Sequence, residues 1–364
     1  MNQFKRLFRF IIRPFHKLFF YDFRKKTIDI TRDGKPLKMG ISAVVAMKNE
    51  EYTLPICLNS LIGFADQVII IDNGSEDNSL SLAKKFKSDN EGQIEVDIIE
   101  MPGALLGDCR EAGLNATRYQ WHLRWDADMI AHTDGEFDMK KLKEKTFRDP
   151  TPRTIQLPRI NLTGDLFHVV KNKDWDSGEP ILIWFNKDIT YQEFGKFDTV
   201  RVPKYYIQMK ETLNYYFHCQ GLKSDINLIH RFHYFSWRES VNTSDKNNLP
   251  EHLKTYDSYV EKRNDYLFNT NEPLKVKYRY QRQLVHSFEK INIEKYGYYP
   301  KVLRDEIDKP EQRFEIIYEH GEPFIRIDRN DKKMMQFTPD ESDLNWSIEL
   351  FFKKLFSENN QPIA

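Results

Sequence analysis

The sequence predicts an α/β chain built on an open, mostly parallel sheet flanked by helices. Three observations carry this reading. Short apolar runs rich in β-branched residues alternate with stretches whose apolar residues recur at helical spacing. A turn signal, Asp72-Asn73-Gly74-Ser75, closes the second run. Polar residues then gather where the runs end, which in a parallel sheet is the ligand-binding edge.

The elements follow in order. Residues 41–46 form a buried strand, and Leu54, Cys57, Leu58, Leu61 and Ile62 mark an amphipathic helix over 51–62. Residues 67–71 are the second strand, and Leu82, Ala83 and Phe86 begin the next helix. Ile94, Val96 and Ile98 alternate with polar residues as a third strand. A short helix is expected over 109–117, and a fourth strand over 121–125 ends at Asp126-Ala127-Asp128. Beyond it the chain is aromatic and irregular, with short strands expected at 155–157, 181–184 and 200–202. Two charged helices are expected between 251 and 291, then a hairpin whose strands 314–318 and 324–327 flank His320-Gly321-Glu322-Pro323. Ile348, Phe351, Phe352, Leu355 and Phe356 make a last amphipathic helix that packs on the body. This divides the chain into an N-terminal segment 1–38, a main domain 39–240 and an extension 241–364. The main domain has a nucleotide half, 39–135, and an acceptor half, 136–240.

Composition narrows the function classes. Lys plus Arg number 55 and Asp plus Glu 55, so global charge gives no argument for nucleic acid, and none is expected as a partner. Three widely spaced cysteines make no disulfide framework and fit a reducing, cytoplasmic setting. The exception to neutrality is residues 1–26, basic and rich in Phe. Arg9, Arg13 and Pro14 interrupt its apolar run, which is too short and too charged to span a bilayer. Phe4, Leu7, Phe8, Ile11 and Ile12 share one helical face flanked by Lys and Arg. That pattern fits a helix packed on the protein's own body or one lying on an anionic membrane, and the charge favours the membrane surface.

Asp126-Ala127-Asp128 is the motif with most chemistry. In an extended segment residues two apart face one side, so two carboxylates meet and their repulsion calls for a cation or hydrogen-bond donors. Hard oxygen ligands suit Mn2+ or Mg2+, and such an ion neutralises a diphosphate leaving group. Asp72, closing the second strand, suits hydrogen bonds from a ribose or base, or the capping of its own turn. Arg110, at the opening of the short helix, suits phosphate or base oxygens, or plain solvent. His230 and His233 lack a third ligand at zinc spacing. A Gly-x-Gly-x-x-Gly turn after the first strand is missing, Lys48-Asn49-Glu50 standing there instead, which excludes a nicotinamide dehydrogenase.

Four blocks, in order and spacing, resemble glycosyltransferase family two. They are Ser42-Ala43-Val44-Val45-Ala46-Met47-Lys48-Asn49-Glu50-Glu51, Ala65 to Asp77 around Val68-Ile69-Ile70-Ile71-Asp72, Gly107-Asp108-Cys109-Arg110-Glu111-Ala112-Gly113, and Leu123-Arg124-Trp125-Asp126-Ala127-Asp128. The likeness covers roughly residues 40 to 135 and is greatest to the bacterial branch that builds surface polysaccharides and lipo-oligosaccharides. It implies a GT-A fold and an inverting, metal-dependent transfer of one sugar from a nucleotide-sugar, a UDP-sugar being favoured, to a glycan or lipid-linked acceptor. The Gln-x-x-Arg-Trp motif and many membrane spans of the processive members are missing. By this resemblance Ala46 and Glu50 line the nucleotide pocket, Asp72 and Arg110 meet the base or ribose, and Asp126 and Asp128 hold metal and diphosphate. The block Tyr216 to Ser224 also resembles a late block of this branch, implying that His218 completes the metal shell and Lys223 holds the diphosphate; a structural histidine is the alternative for His218, as for His230 and His233. Inversion needs a general base. Asp176, Glu179, Glu193 and Asp198 are the candidates, with Glu179 first, since Gly178-Glu179-Pro180 precedes an apolar run, and Glu193 second. A catalytically degenerate domain serving as a binding module is the alternative, opposed by the intact Asp72, Arg110, Asp126 and Asp128.

Overall fold

The computed structural model describes residues 31–32, 35–148, 151–194, 197–245 and 248–358, so the basic segment 1–26 lies outside it. The first half of the main sheet comes from β1 (Lys38–Met47), β2 (Gln67–Asp72), β3 (Glu95–Glu100) and β4 (Tyr119–Asp126). Between them run α1 (Thr53–Leu61), α2 (Ser79–Asp89) and α3 (Leu106–Ala116). β1 sits between β2 and β4 and is parallel to both. A strand covered on both faces reads as a near-continuous apolar run. Accordingly Ile41, Ala43 and Val45 join the large core that also takes Leu54, Cys57, Leu58 and Leu61 of α1. Val44 points the other way, into a smaller cluster with Ile69, Ile71 and Cys109 of α3. Gly113 allows α3 to come this close: a Cβ there would lie 2.2 Å from Val44 Cγ1.

After β4 the chain turns into β5 (Met129–Ala131), then α4 (Met139–Phe147), β6 (Arg153–Gln156) and β7 (Arg159–Thr163). Next come β8 (Trp175–Asp176), β9 (Pro180–Trp184), β10 (Thr190–Phe194), β11 (Phe197–Arg201), β12 (Ile207–Lys210) and β13 (Tyr216–Gln220). The seven-stranded sheet has the order β12-β6-β9-β4-β1-β2-β3, and β9 alone runs against its neighbours. A second sheet, β8-β7-β13-β5, lies beside the carboxyl end of β4. The mixed architecture therefore has the mostly parallel sheet expected. The expected strand 200–202 is the second arm of the β10–β11 hairpin.

The C-terminal part contains α5 (Asp225–Thr243), α6 (Tyr256–Phe268), α7 (Pro273–Val285), α8 (Lys301–Ile307) and a hairpin of β14 (Phe314–Glu319) and β15 (Glu322–Asp328), followed by α9 (Ile348–Glu358). The hairpin turn is the two residues His320 and Gly321, both left-handed, so Glu322 and Pro323 belong to the strand rather than the turn. Tyr296, Leu303 and Phe314 share the large core with the main sheet, and packing is thus continuous across residue 240. No helix among the described residues is long and apolar enough to cross a membrane.

Candidate active site

The carboxyl ends of β1, β2 and β4 lie side by side. Backbone register sets Ala46 beside Ile71 on one flank and beside Asp126 on the other, and Met47 beside Asp72. Asp126-Ala127-Asp128 is the turn from β4 into β5, closed by the Trp125 indole N–H donating to the Met129 carbonyl at 2.9 Å. Ala127 is buried under it. Asp126 is half-buried at this turn and Asp128 is buried.

β13 brings in the third member. His218 stands opposite Met129 in the antiparallel pairing of β13 with β5, and the Cys219 amide donates to the Asp128 carbonyl at 2.7 Å. One ligand atom each from Asp126, Asp128 and His218 lies within 4.8 Å of the others; among the described residues no other group of three or more His, Cys, Asp or Glu meets that test. Asp128 Oδ1 sits 3.3 Å from His218 Nε2 and has no hydrogen bond of good geometry. The other ring nitrogen of His218 faces Asn161 Oδ1 at 3.2 Å and Gln220 Nε2 at 3.0 Å. A buried oxygen short of donors beside an oriented imidazole and a second carboxylate fits a divalent cation. Burial by itself would raise both carboxyls. Instead the His218 ring holds Asp128 below the usual range, and the Arg110 guanidinium holds Asp126 below it.

Arg110 occupies a different place from the one its sequence context suggests. It is the fifth residue of α3, has no exposed surface, and lies beneath the motif. It donates to the Trp125 carbonyl at 2.5 Å and forms an ion pair with Asp126. Its Nε is 3.8 Å from Asp198. Its guanidinium thus contacts the β4 end and Asp198. Asp72 is also buried, and both its oxygens accept the Ser75 amide at 3.2 Å, which is the turn-capping arrangement.

Glu50 follows β1 and is buried, its amide donating to Ser79 Oγ at 2.7 Å and its carboxylate accepting from Thr53 Oγ1 at 3.1 Å. It forms an ion pair with Lys223, from the loop after β13. Burial pushes the Glu50 carboxyl up to about 7; Lys223 opposes the rise and Asp128 adds to it.

The base candidates lie on the other flank. Antiparallel register places Leu182 opposite Leu123, and Glu179, just before β9, pairs with Arg124 of β4. Gly178 makes this entry possible: its φ is +64°, and a Cβ would come within 1.6 Å of the Leu157 carbonyl oxygen. Glu179 meets Arg124 at 2.5 Å and Arg159 at 3.6 Å. Asp176 meets Arg159 at 2.8 Å and Asn161 at 3.2 Å, and Asn161 is the residue that faces His218. Asp198 is buried against Arg124 at 3.1 Å. Glu193 pairs in backbone register with Asp198, and its side chain lies outside the described part. His233 is buried, 3.2 Å from an Arg263 nitrogen, and His230 stacks on Tyr234, so neither joins a metal group.

Sequence reasoning missed Arg124, Arg159, Asn161 and Gln220, which orient the carboxylates and the imidazole. Arg124 had one available signal, a charged residue inside an apolar strand. The others occur in weakly patterned sequence.

Residues 42–138 match the family model described as Glycosyl transferase family 2. Among solved structures, S. aureus TarS is similar at 14% identity over 79% of this chain and 60% of that chain, with a TM-score of 0.37. Its residues 1–349, in complex with UDP-GlcNAc, give 14% identity over 79% of this chain and 99% of that chain, TM-score 0.37. Glucosyl-3-phosphoglycerate synthase from Mycobacterium tuberculosis, in complex with Mn2+, UDP and glucosyl-3-phosphoglycerate, gives 20% identity over 34% of this chain and 44% of that chain, TM-score 0.25. The chain thus spans less than two thirds of the longer TarS structure and of the synthase.

Proposed function

From the premise that this chain carries a glycosyl transferase family 2 domain over residues 42–138, we propose that it transfers one sugar, with inversion, from a nucleotide-sugar to a glycan or lipid-linked acceptor. UDP-sugars are the first donors to try. The acceptor class follows the resemblance to the surface-polysaccharide branch, and residues 1–26 would hold the protein at an anionic membrane.

The observation that carries this reading is the meeting of Asp126, Asp128 and His218 at the carboxyl edge of a mostly parallel sheet. These three would hold Mn2+ or Mg2+. Such an ion, when bound, supplies positive charge to the leaving diphosphate. Ala46, Glu50 and Asp72 would line the nucleoside pocket. Arg110 acts at one remove, by fixing Asp126. Lys223, reaching across from its loop, offers an ammonium to the diphosphate.

In the transfer, an acceptor hydroxyl attacks the anomeric carbon as the bond to the diphosphate oxygen breaks. Its proton passes to a carboxylate on the acceptor side. Glu179 is the proposed base, since it pairs with Arg124, two residues before Asp126 on β4. Arg124 and Arg159 hold that carboxylate in place.

A thermal-shift series with UDP, GDP, CMP, dTDP and their sugar conjugates, each with Mn2+ and with chelator, tests the reading. A ligand at a hundred times its dissociation constant adds about 2.7 kcal/mol. A metal-dependent shift with one nucleotide supports it. A chain that binds none of them is a degenerate module instead.

A further inference from the structure

The C-terminal hairpin sends one side chain into the main domain. Arg326 of β15 has no exposed surface and lies over the Phe314 ring, its guanidinium carbon 4.2 Å from the centroid. Its Nε donates to the Gly164 carbonyl at 2.7 Å, in the loop after β7. One Nη pairs with Asp225 at 2.5 Å, the first residue of α5. The other donates to the carbonyls of Gly221 at 3.3 Å and Lys223 at 2.8 Å. A single planar fork therefore holds both ends of the loop 221–225 and ties it to the strand beside it. The side chain in the middle of this loop is Lys223, whose ammonium reaches Glu50 across the cleft.

Three carbonyls and a buried carboxylate are more than ion pairing alone requires. A lysine at position 326 would neutralise Asp225 but could not span four acceptors on two loops. We propose that Arg326 is a positioning residue for Lys223. On this reading the hairpin 314–328 is a working part of the donor site rather than an appendage. The proposal rests on the assignment of Lys223 to the donor diphosphate. It goes beyond that assignment by naming the residue that sets the lysine's position.

The test uses the full chain and a double-mutant cycle on Mn2+-dependent UDP affinity, or that of whichever diphosphate the shift series selects. Arg326→Gln is combined with Asp225→Asn, so that no unpaired charge is left buried. Arg326→Lys serves if that pair melts below the assay temperature. The expected result is a loss of about tenfold in affinity in the parent background, and no further loss in a Lys223→Ala background. Equal losses in both backgrounds would mean that Arg326 supports the fold in general, and would overturn the proposal. So would unchanged affinity in the Arg326 variants while Lys223→Ala weakens binding, which leaves the Lys223 assignment standing. If Lys223→Ala itself binds as the parent does, the assignment falls and the proposal with it.

Discussion

His218 Nε2 lies 3.3 Å from Asp128 Oδ1, and the same pair of segments is joined through the Cys219 amide on the Asp128 carbonyl at 2.7 Å. The imidazole is therefore held beside the acidic turn by the backbone pairing of the two segments. Replacing Asp128 by Asn keeps the shape and removes one negative oxygen. Transfer should fall by at least about 100-fold, the upper end of what ligand-orienting partners cost, while far-UV circular dichroism is unchanged. Full turnover by Asp128→Asn, assayed with saturating Mn2+, would refute the metal assignment.

Arg110 makes a different prediction, because its charge is buried beneath Asp126 and near Asp198. Arg110→Met leaves carboxylates uncompensated, an effect of about 3–5 kcal/mol for a broken buried pair. Urea unfolding should show this loss in chelator. With Mn2+ and nucleotide the loss should shrink, since the cation meets the same Asp126. An equal loss in both conditions would separate Arg110 from the metal site.

Glu179 and Asp176 share Arg159, yet they should differ in kinetics. Glu179→Gln should lower kcat by about 100-fold or more, within the range for general-base removal, and flatten the acid limb of the pH profile. Asp176→Asn, which disturbs Asn161 and through it His218, should act chiefly on metal affinity. The opposite pattern would exchange their roles.

His132 predicts acid sensitivity. Its ring is buried among Phe137, Phe217 and Tyr298, and neither nitrogen has a hydrogen-bond partner among the described residues. Burial lowers its pKa from 6.5 to about 4. The folded state thus binds fewer protons than the unfolded one between those values, and stability falls as pH drops from 6.5 toward 4. His233, lowered to about 3, acts in the same direction. His132→Phe should recover stability on the order of 3 kcal/mol at pH 4 and little at pH 7. Parallel pH–stability curves for the two proteins would count against this.

Residues 1–26 predict membrane affinity from their basic, Phe-rich pattern alone. Their deletion should release the protein from vesicles containing anionic lipid and leave transfer to a soluble acceptor intact. Equal vesicle binding by the truncated chain would place the membrane contact elsewhere.

What the sequence by itself determined lies between residues 40 and 135. There the centres of β1 and β2 are buried on both faces, so 43–47 and 68–71 are continuous apolar runs, and the period of α1 announced its inner face. Asp72, Asp126 and Asp128 were legible because they interrupt that pattern where the strands stop. Only the tertiary structure decided the rest. Arg110 reads as a surface arginine until α3 packs against Val44 and turns it under β4. His218 meets Asp128 through strand pairing between distant segments, and no local period encodes that pairing. The lysine at 223 depends on Arg326, more than a hundred residues further along, because a loop has no regular hydrogen-bond pattern of its own and takes its shape from whatever donor the fold delivers to its carbonyls.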